Sequence, residues 1–481
     1  MNFVIPSFAP AIPEMVLLGL ISAILIGDTF WSKRYQSLTY YATQASLVFV
    51  GFLIVTTFTT TQVITFDGSF VRDSFADIMK LATILVSVGI FLFSREYLLQ
   101  QKFYSGEFFV LGLFGVLGMF VMISAHNMIT MYIGLEIMSL AMYAMIALRK
   151  DSAQAVEAAM KYFVLGALAT GMLLYGFSMI YGATGSITFP VMAEVIAAGN
   201  VDKTVLSFGV VFVVIGLAFK LGAVPFHMWV PDVYHGSPSA VTLYLGTAPK
   251  IAGFAMLYRL LEEALPGLVS DWQQLIIALS ILSLAVGSIV AIAQDNLKRM
   301  LAYSGIGHIG FLLLGVIAAS PEGYSASMFY IMVYAVTGVA GFGMIVVLSR
   351  AGDEFDRVAD FAGLNARNPW LALMMLIVMF SMAGIPPFIG FWAKIIVIEE
   401  VVNAGFTWIA VIAVITAVIS AFYYLKVVKA MYFDSPKESS RIEPTSKASL
   451  IAVSFVSIAL LVIGLVPNTV ISLSYQSLTA L

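Results

Sequence analysis

Along these 481 residues an apolar run about twenty residues long begins, stops at a short polar turn, and begins again. The runs lie near 12–30, 38–58, 74–93, 107–124, 127–148, 159–182 and 207–228, then near 239–260, 274–293, 299–318, 325–349, 370–399, 406–432 and 449–466. About 20 apolar residues in a helix cross the hydrocarbon of a bilayer, and within lipid only helices or closed barrels satisfy the backbone. These runs are too long and too continuous for barrel strands. The expectation is an all-α polytopic membrane protein with about fourteen transmembrane helices. Composition points to the same solvent: 61% of residues are hydrophobic and 11% charged, against about 25% charged in soluble domains.

Basic residues orient such a chain because they gather in cytoplasmic loops. Loops after odd-numbered spans carry Lys33, Arg34, Arg95, Lys102, Arg149, Lys150, Lys298, Arg299, Arg350, Arg357, Arg367, Lys437, Arg441 and Lys447, with Lys426 and Lys429 ending the thirteenth span. The opposite side has Arg72, Lys203 and Arg259. Odd-to-even loops are therefore expected in the cytoplasm and both termini on the outer, periplasmic side. The opening "MNFVIPSFAPAIPEMVLLGL" has no basic segment ahead of its apolar run, so the first span is expected to be retained. No soluble domain is inserted; the longest polar connections are "SRAGDEFDRVADFAGLNARN" and "DSPKESSRIEPTSK".

Several chemistries are excluded. There is no cysteine, hence no disulfide framework, no cysteine-ligated iron–sulfur cluster and no thiolate zinc site in the chain. The histidines are His126, His227, His235 and His308, and no two share a helical face suited to haem. A phosphate-binding P-loop pattern is absent. No metal, no bound cofactor and no nucleic acid are expected, and redox or ATP chemistry falls to partners.

Five lysines remain inside apolar runs: Lys80, Lys161, Lys220, Lys250 and Lys394. Each costs roughly 2.5–3.5 kcal/mol at a helix centre unless something repays it. Lys80, near Asp73 and Asp77, reads as an interfacial ion pair, and Glu14, Glu399 and Glu400 look interfacial too. Lys161 lies four residues after Glu157, a spacing that fits a surface pair as well as it fits function. Lys220 stands about fourteen residues into the seventh span, Lys250 follows Pro249 midway along the eighth, and Lys394 lies in the twelfth. Glu136 is the acid deep in the fifth span, a natural partner for an embedded cation.

Two of these spans are interrupted. Pro225 breaks the seventh beside Lys220, and Gly384, Pro386 and Pro387 break the twelfth ahead of Lys394. A broken helix at mid-membrane is tolerated only beside protein or a water-lined cavity. An ammonium there is stripped of water, which disfavours its charged form and lets it gain and lose a proton. Glu136, Lys220, Lys250 and Lys394 make a proton path that His227 and His308 can join, although each histidine fits a packing role equally well. Interruptions five helices apart indicate two inverted five-helix repeats. The expected divisions are a three-helix segment over 1–106, one repeat over 107–261, a second over 274–433, and a last helix and tail over 447–481.

These residues carry a resemblance. "GLAFKLGAVPFHMWVPDVYHGSPSAVTLYLGTAPKIAGF", "QDNLKRMLAYSGIGHIGF" and "SMAGIPPFIGFWAK", in that order, resemble signatures of the antiporter-like subunits of respiratory complex I, and the likeness runs over essentially the whole chain. Within that family subunit M carries glutamate where this chain has Lys394, and subunit L has a long C-terminal helix for which this chain is too short. The resemblance implies that Glu136 tunes a lysine partner, that Lys220, Lys250 and Lys394 carry protons in turn, and that Lys161, in "KYF", belongs with them. It also implies a bacterial inner-membrane location, membrane-arm neighbours such as subunits M and K, and NADH, FMN, iron–sulfur clusters and quinone confined to partner subunits. The expected function is proton translocation coupled to quinone reduction elsewhere in the complex. Rival readings are a cation/proton antiporter subunit on the same fold and a non-pumping structural subunit.

Overall fold

The computed structural model describes residues 5–31, 37–350, 354–436 and 446–479. Lys33, Arg34, Lys437 and Arg441, used above for orientation, lie outside the described residues. In chain order the first helices are α1 (Ile12–Phe30), α2 (Ser37–Thr56), α3 (Ser74–Gln100), α4 (Gly106–Ile123), α5 (Met128–Ile146), α6 (Ala153–Thr184) and α7 (Phe189–Ala197). The middle of the chain forms α8 (Lys203–Leu221), α9 (Trp229–Gly236), α10 (Ser239–Leu245), α11 (Ala248–Tyr258), α12 (Val269–Ile292), α13 (Leu297–Ile317) and α14 (Pro321–Leu348). The rest is α15 (Leu364–Arg367), α16 (Pro369–Ala383), α17 (Ile389–Asn403), α18 (Thr407–Phe433), α19 (Lys447–Leu465) and α20 (Asn468–Thr479).

Thirteen of the described helices are long and apolar enough to cross a membrane. The fourteenth span is assembled from two pieces. α16 has 15 residues and so reaches only about 22 Å at 1.5 Å per residue, short of the ~30 Å hydrocarbon layer; α17 completes it. Local sequence fixes where many helices start. Asp73, Asn127, Ser152, Asp202, Asn296, Ser320 and Asn368 each cap a helix by accepting a backbone N–H from its first turn.

Close packing runs through glycine. α4 crosses α5 at Gly118 and Gly134, where an added Cβ would stand 2.4 Å and 2.6 Å from backbone nitrogens of the facing helix. α12 crosses α13 in the same manner, with Gly287 2.4 Å from the Gly307 nitrogen on the same test. Without a hydrophobic drive between helices in lipid, such small-residue crossings are how close packing is gained.

Several details depart from the sequence expectation. The expected interruption of the seventh span begins ahead of Pro225: α8 ends at Leu221, and α9 resumes the path after an irregular stretch. The eighth is also interrupted, between α10 and α11, because Thr247 leaves helical geometry ahead of Pro249. A small antiparallel hairpin, β1 (Val63–Thr65) with β2 (Phe70–Arg72), precedes α3. Lys80 is not interfacial but fully enclosed, 2.5 Å from Glu14, which is itself buried. Its expected neighbours are taken, Asp77 by Arg72 at 3.0 Å and Asp73 by Arg259 at 2.8 Å. Arg259 and Lys298, expected in loops, are buried at helix ends.

Candidate functional site

The two helix breaks are built alike. α8 ends on Leu221, and Gly222 takes the left-handed conformation at φ 78° while the Ala223 N–H returns to the Ala218 carbonyl at 2.8 Å. α16 ends on Ala383, and Gly384 sits at φ 82° while the Ile385 N–H returns to the Phe380 carbonyl at 3.0 Å. This is the glycine-ended helix stop that only a residue without Cβ adopts freely. Three residues on, each break has a cis proline, Pro225 in one and Pro387 in the other. The shared string is Gly-x-x-Pro-Phe, "GAVPF" and "GIPPF".

A helix that stops leaves carbonyls without partners, and in each break a buried lysine takes one. Lys250 Nζ donates to the Leu221 carbonyl at 2.6 Å, and Lys394 Nζ donates to the Ala383 carbonyl at 2.9 Å. Each carbonyl belongs to the residue just before the left-handed glycine. Each ammonium also lies over an aromatic ring, Trp229 at 5.4 Å for Lys250 and Phe311 at 5.0 Å for Lys394. The Trp229 indole N–H donates to the Phe219 carbonyl of α8 at 3.0 Å, which also accepts the Gly222 N–H at 3.0 Å. Lys220, one residue before Leu221, has no basic counterpart in the second break, where Met382 holds its place.

Lys220 and Lys250 line one cavity with Met122, Met138, Tyr162 and Trp229. Lys220 Nζ donates to the Ser139 hydroxyl at 2.8 Å, and that hydroxyl donates to the Leu135 carbonyl at 2.6 Å. Glu136 lies one turn from Ser139 on α5. It forms no ion pair with Lys220; its Oε1 is buried without a hydrogen-bond partner among the described residues. Glu136 and Lys220 thus share the neighbourhood of Ser139 without touching.

A second cavity is lined by His308, Tyr330, Tyr334, Thr337 and Ser381, with Gly390 and Ala393 beside Lys394. His308 is tied at both ring nitrogens, to the Tyr330 hydroxyl at 2.6 Å and the Tyr424 hydroxyl at 3.1 Å, and Tyr424 continues to Ser304 at 2.5 Å. α14 stands between the cavities, packing on α10 and α11 with one side and on α16 and α17 with the other.

Not every sequence candidate enters these cavities. Lys161 is partly exposed, paired with Glu157 at 2.8 Å and Asp232 at 3.0 Å, while Asp232 also holds Arg299 at 2.7 Å. His227 lies half-buried in the first break. Sequence reasoning missed Ser139, Trp229, Asp232, Tyr330, Tyr334 and Tyr424. Ser139 was within reach, because it sits three residues from Glu136 on one helical face; the tyrosines carried no such signal among 21 in the chain.

Residues 125–420 match the family described as NADH:quinone oxidoreductase/Mrp antiporter, transmembrane. A protein of Hydrogenovibrio crunogenus named NADH-quinone oxidoreductase subunit N is 72% identical over 478 residues, covering 99% of this chain and 100% of its own. A chain of respiratory complex I from Thermus thermophilus with bound aureothin superposes with a TM-score of 0.83 at 29% identity, covering 96% of this chain and 100% of that one. A chain of the Mrp complex from Dietzia sp. shares the fold, with a TM-score of 0.84 at 20% identity over 98% of this chain and 97% of that one. With broken helices, buried lysines and near-complete coverage by such relatives, the chain belongs to the subunit N family of NADH-quinone oxidoreductases, within the NADH:quinone oxidoreductase/Mrp antiporter membrane proteins.

Proposed function

We propose that this chain translocates protons as a membrane-arm subunit of an NADH:quinone oxidoreductase, with quinone reduced elsewhere in the complex. The observation that carries the reading is the pair of matched breaks, each presenting a half-helix carbonyl to a buried lysine beside a cavity. Glu136, Lys220, Lys250, His308 and Lys394 form the path, with Ser139, Tyr330 and Tyr424 linking its members. The Glu136 carboxylate favours the ammonium form of Lys220. When that support is offset by a charge arriving from a neighbour, the proton moves inward to the Lys250 amine and then past α14 to the His308–Lys394 cavity. Lys161 and His227 flank this path. Pro225, Gly384, Pro386 and Pro387 shape it.

The finer assignments follow the same reading. Neighbours include subunits M and K, and NADH, FMN, iron–sulfur clusters and quinone belong to other subunits. The basic residues support a bacterial inner-membrane orientation with both termini periplasmic. The division into 1–106, 107–261, 274–433 and 447–481 follows the two glycine-proline breaks.

The test is NADH-driven proton uptake by inverted membrane vesicles, comparing wild type with Lys220→Ala at equal assembly. Uptake and NADH oxidation are expected to fall together, several-fold or more. Wild-type rates of uptake and of NADH oxidation in the assembled variant would overturn the path and favour a scaffold role. The fold shared with Mrp supports one further reading, a cation/proton antiporter subunit; sodium-dependent exchange without NADH would move that reading to the front.

A further inference from the structure

Outside the lysine cavities, the π-helical turn that continues α11, Arg259–Ala264, carries a second buried charge cluster. The side chains of Arg259 and Asp73 are both 0% exposed. Arg259 donates from Nη2 to Asp73 at 2.9 Å, from Nε to the Ile123 carbonyl at 3.3 Å, and from Nη1 to Glu263. Asp73 is engaged a second time, as the cap of α3, accepting from the Ala76 N–H at 2.7 Å. Glu263 has one oxygen to spare: Oε2 is buried without a hydrogen-bond partner among the described residues. It faces Nδ1 of His126, also buried and unpartnered, across 3.9 Å.

Two carboxylates against one guanidinium leave one negative charge uncompensated, in a place where charges have lost most of their water. The surroundings do not supply the missing positive charge. Arg72 is held by Asp77, and Lys80 by Glu14. On the same helix end, Tyr258 is neutral and Glu262, facing Tyr324 of α14, adds only negative charge. On α7, which packs against this turn, Glu194 is exposed. We propose that the cluster is a proton-binding site that holds one proton between Glu263 Oε2 and His126 Nδ1. On the carboxyl, the proton leaves a neutral imidazole; on the imidazole, it makes an ion pair; in either place it brings the cluster to neutrality.

The resting place is the carboxyl, because burial and the adjacent Arg259 hold His126 down at about 4, so the ring is neutral at pH 7. Glu263 is also the less enclosed member, with 17% of its side chain exposed against 3% for His126. The site adjoins the first lysine cavity. Met256, one turn before Arg259, and Met122, next to Ile123, both line that cavity.

The proposal concerns occupancy and stands whether or not the chain pumps. Infrared pH-difference spectra of the purified, assembled complex read the carbonyl stretch of a protonated carboxylic acid. One such band is expected at neutral pH in the wild type, lost in Glu263→Gln and retained in Glu262→Gln. An unchanged spectrum in Glu263→Gln would overturn the site. Should that variant fail to assemble, His126→Asn decides: the band is expected to remain with a shifted titration midpoint, and an unshifted midpoint would overturn the sharing.

Discussion

Lys220 and Lys250 face one cavity yet are held differently, and the difference sets what each substitution does. Lys220 rests on a hydroxyl, which can give or take a hydrogen bond; Lys250 rests on a carbonyl, which only accepts. Removing the hydroxyl in Ser139→Ala takes away a hydrogen bond to a charged group, about 1.5–3 kcal/mol. That corresponds to a loss of about tenfold or more. NADH-driven proton uptake is expected to drop by that order with the subunit assembled, and Ser139→Thr, which keeps the hydroxyl, should retain most of it. Lys394→Met acts on stability as well as transport. It strips the Ala383 carbonyl of its side-chain donor, costing about 1–3 kcal/mol, and should lower the thermal midpoint of the purified complex.

At the scale of elements, the breaks depend on two glycines, and the place of α1 depends on the enclosed Lys80–Glu14 pair. An alanine Cβ at Gly384 would meet the Lys394 side chain at 2.8 Å, and at Gly222 it would meet Val230 at 2.7 Å, both at positive φ. Gly384→Ala is therefore expected to cost about 1–3 kcal/mol in backbone strain and to displace the lysine. Gly171→Ala, where a Cβ meets nothing within 4 Å, should leave coupled turnover unchanged. Equal losses in the two variants would refute the special role of the break. Likewise Glu14→Gln leaves Lys80 buried without its counter-charge, a penalty of about 3–5 kcal/mol. Docking of α1 on the bundle should fail in that variant and recover in the double variant Glu14→Met with Lys80→Met.

Span number, the interrupted seventh and twelfth helices and the embedded lysines were legible because lipid imposes length and charge rules on sequence. What escaped depends on three-dimensional pairing. Gly222 sits in an apolar run where glycine reads first as packing, and only its spacing to Pro225, the same as that of Gly384 to Pro387, sets it apart. Lys80 looked interfacial because its near-sequence acids were visible, whereas its partner Glu14 is 66 residues away. Arg259 looked like a loop residue because a run of apolar letters ends there, and its burial comes from Asp73, far away in the chain. The interruption of the eighth span at Thr247 left no signal beyond Pro249.

In the molecule as a whole, the two cavities lie in series on either side of α14, and a series path has a single flux. The double variant Lys220→Ala with Lys394→Ala is therefore expected to pump about as poorly as the worse single variant, a non-additive outcome. Losses that multiply would instead indicate two independent routes. The carbonyl contacts of Lys250 and Lys394 bear on how such a path resets. An ammonium has three N–H groups and a neutral amine still has two, so either form can donate to Leu221 or Ala383. The bond that clasps each broken helix thus survives when its lysine hands the proton on. Electrical charge can cross the protein while the scaffold at the crossing points stays mechanically still, and each passage leaves the clasp ready for the next.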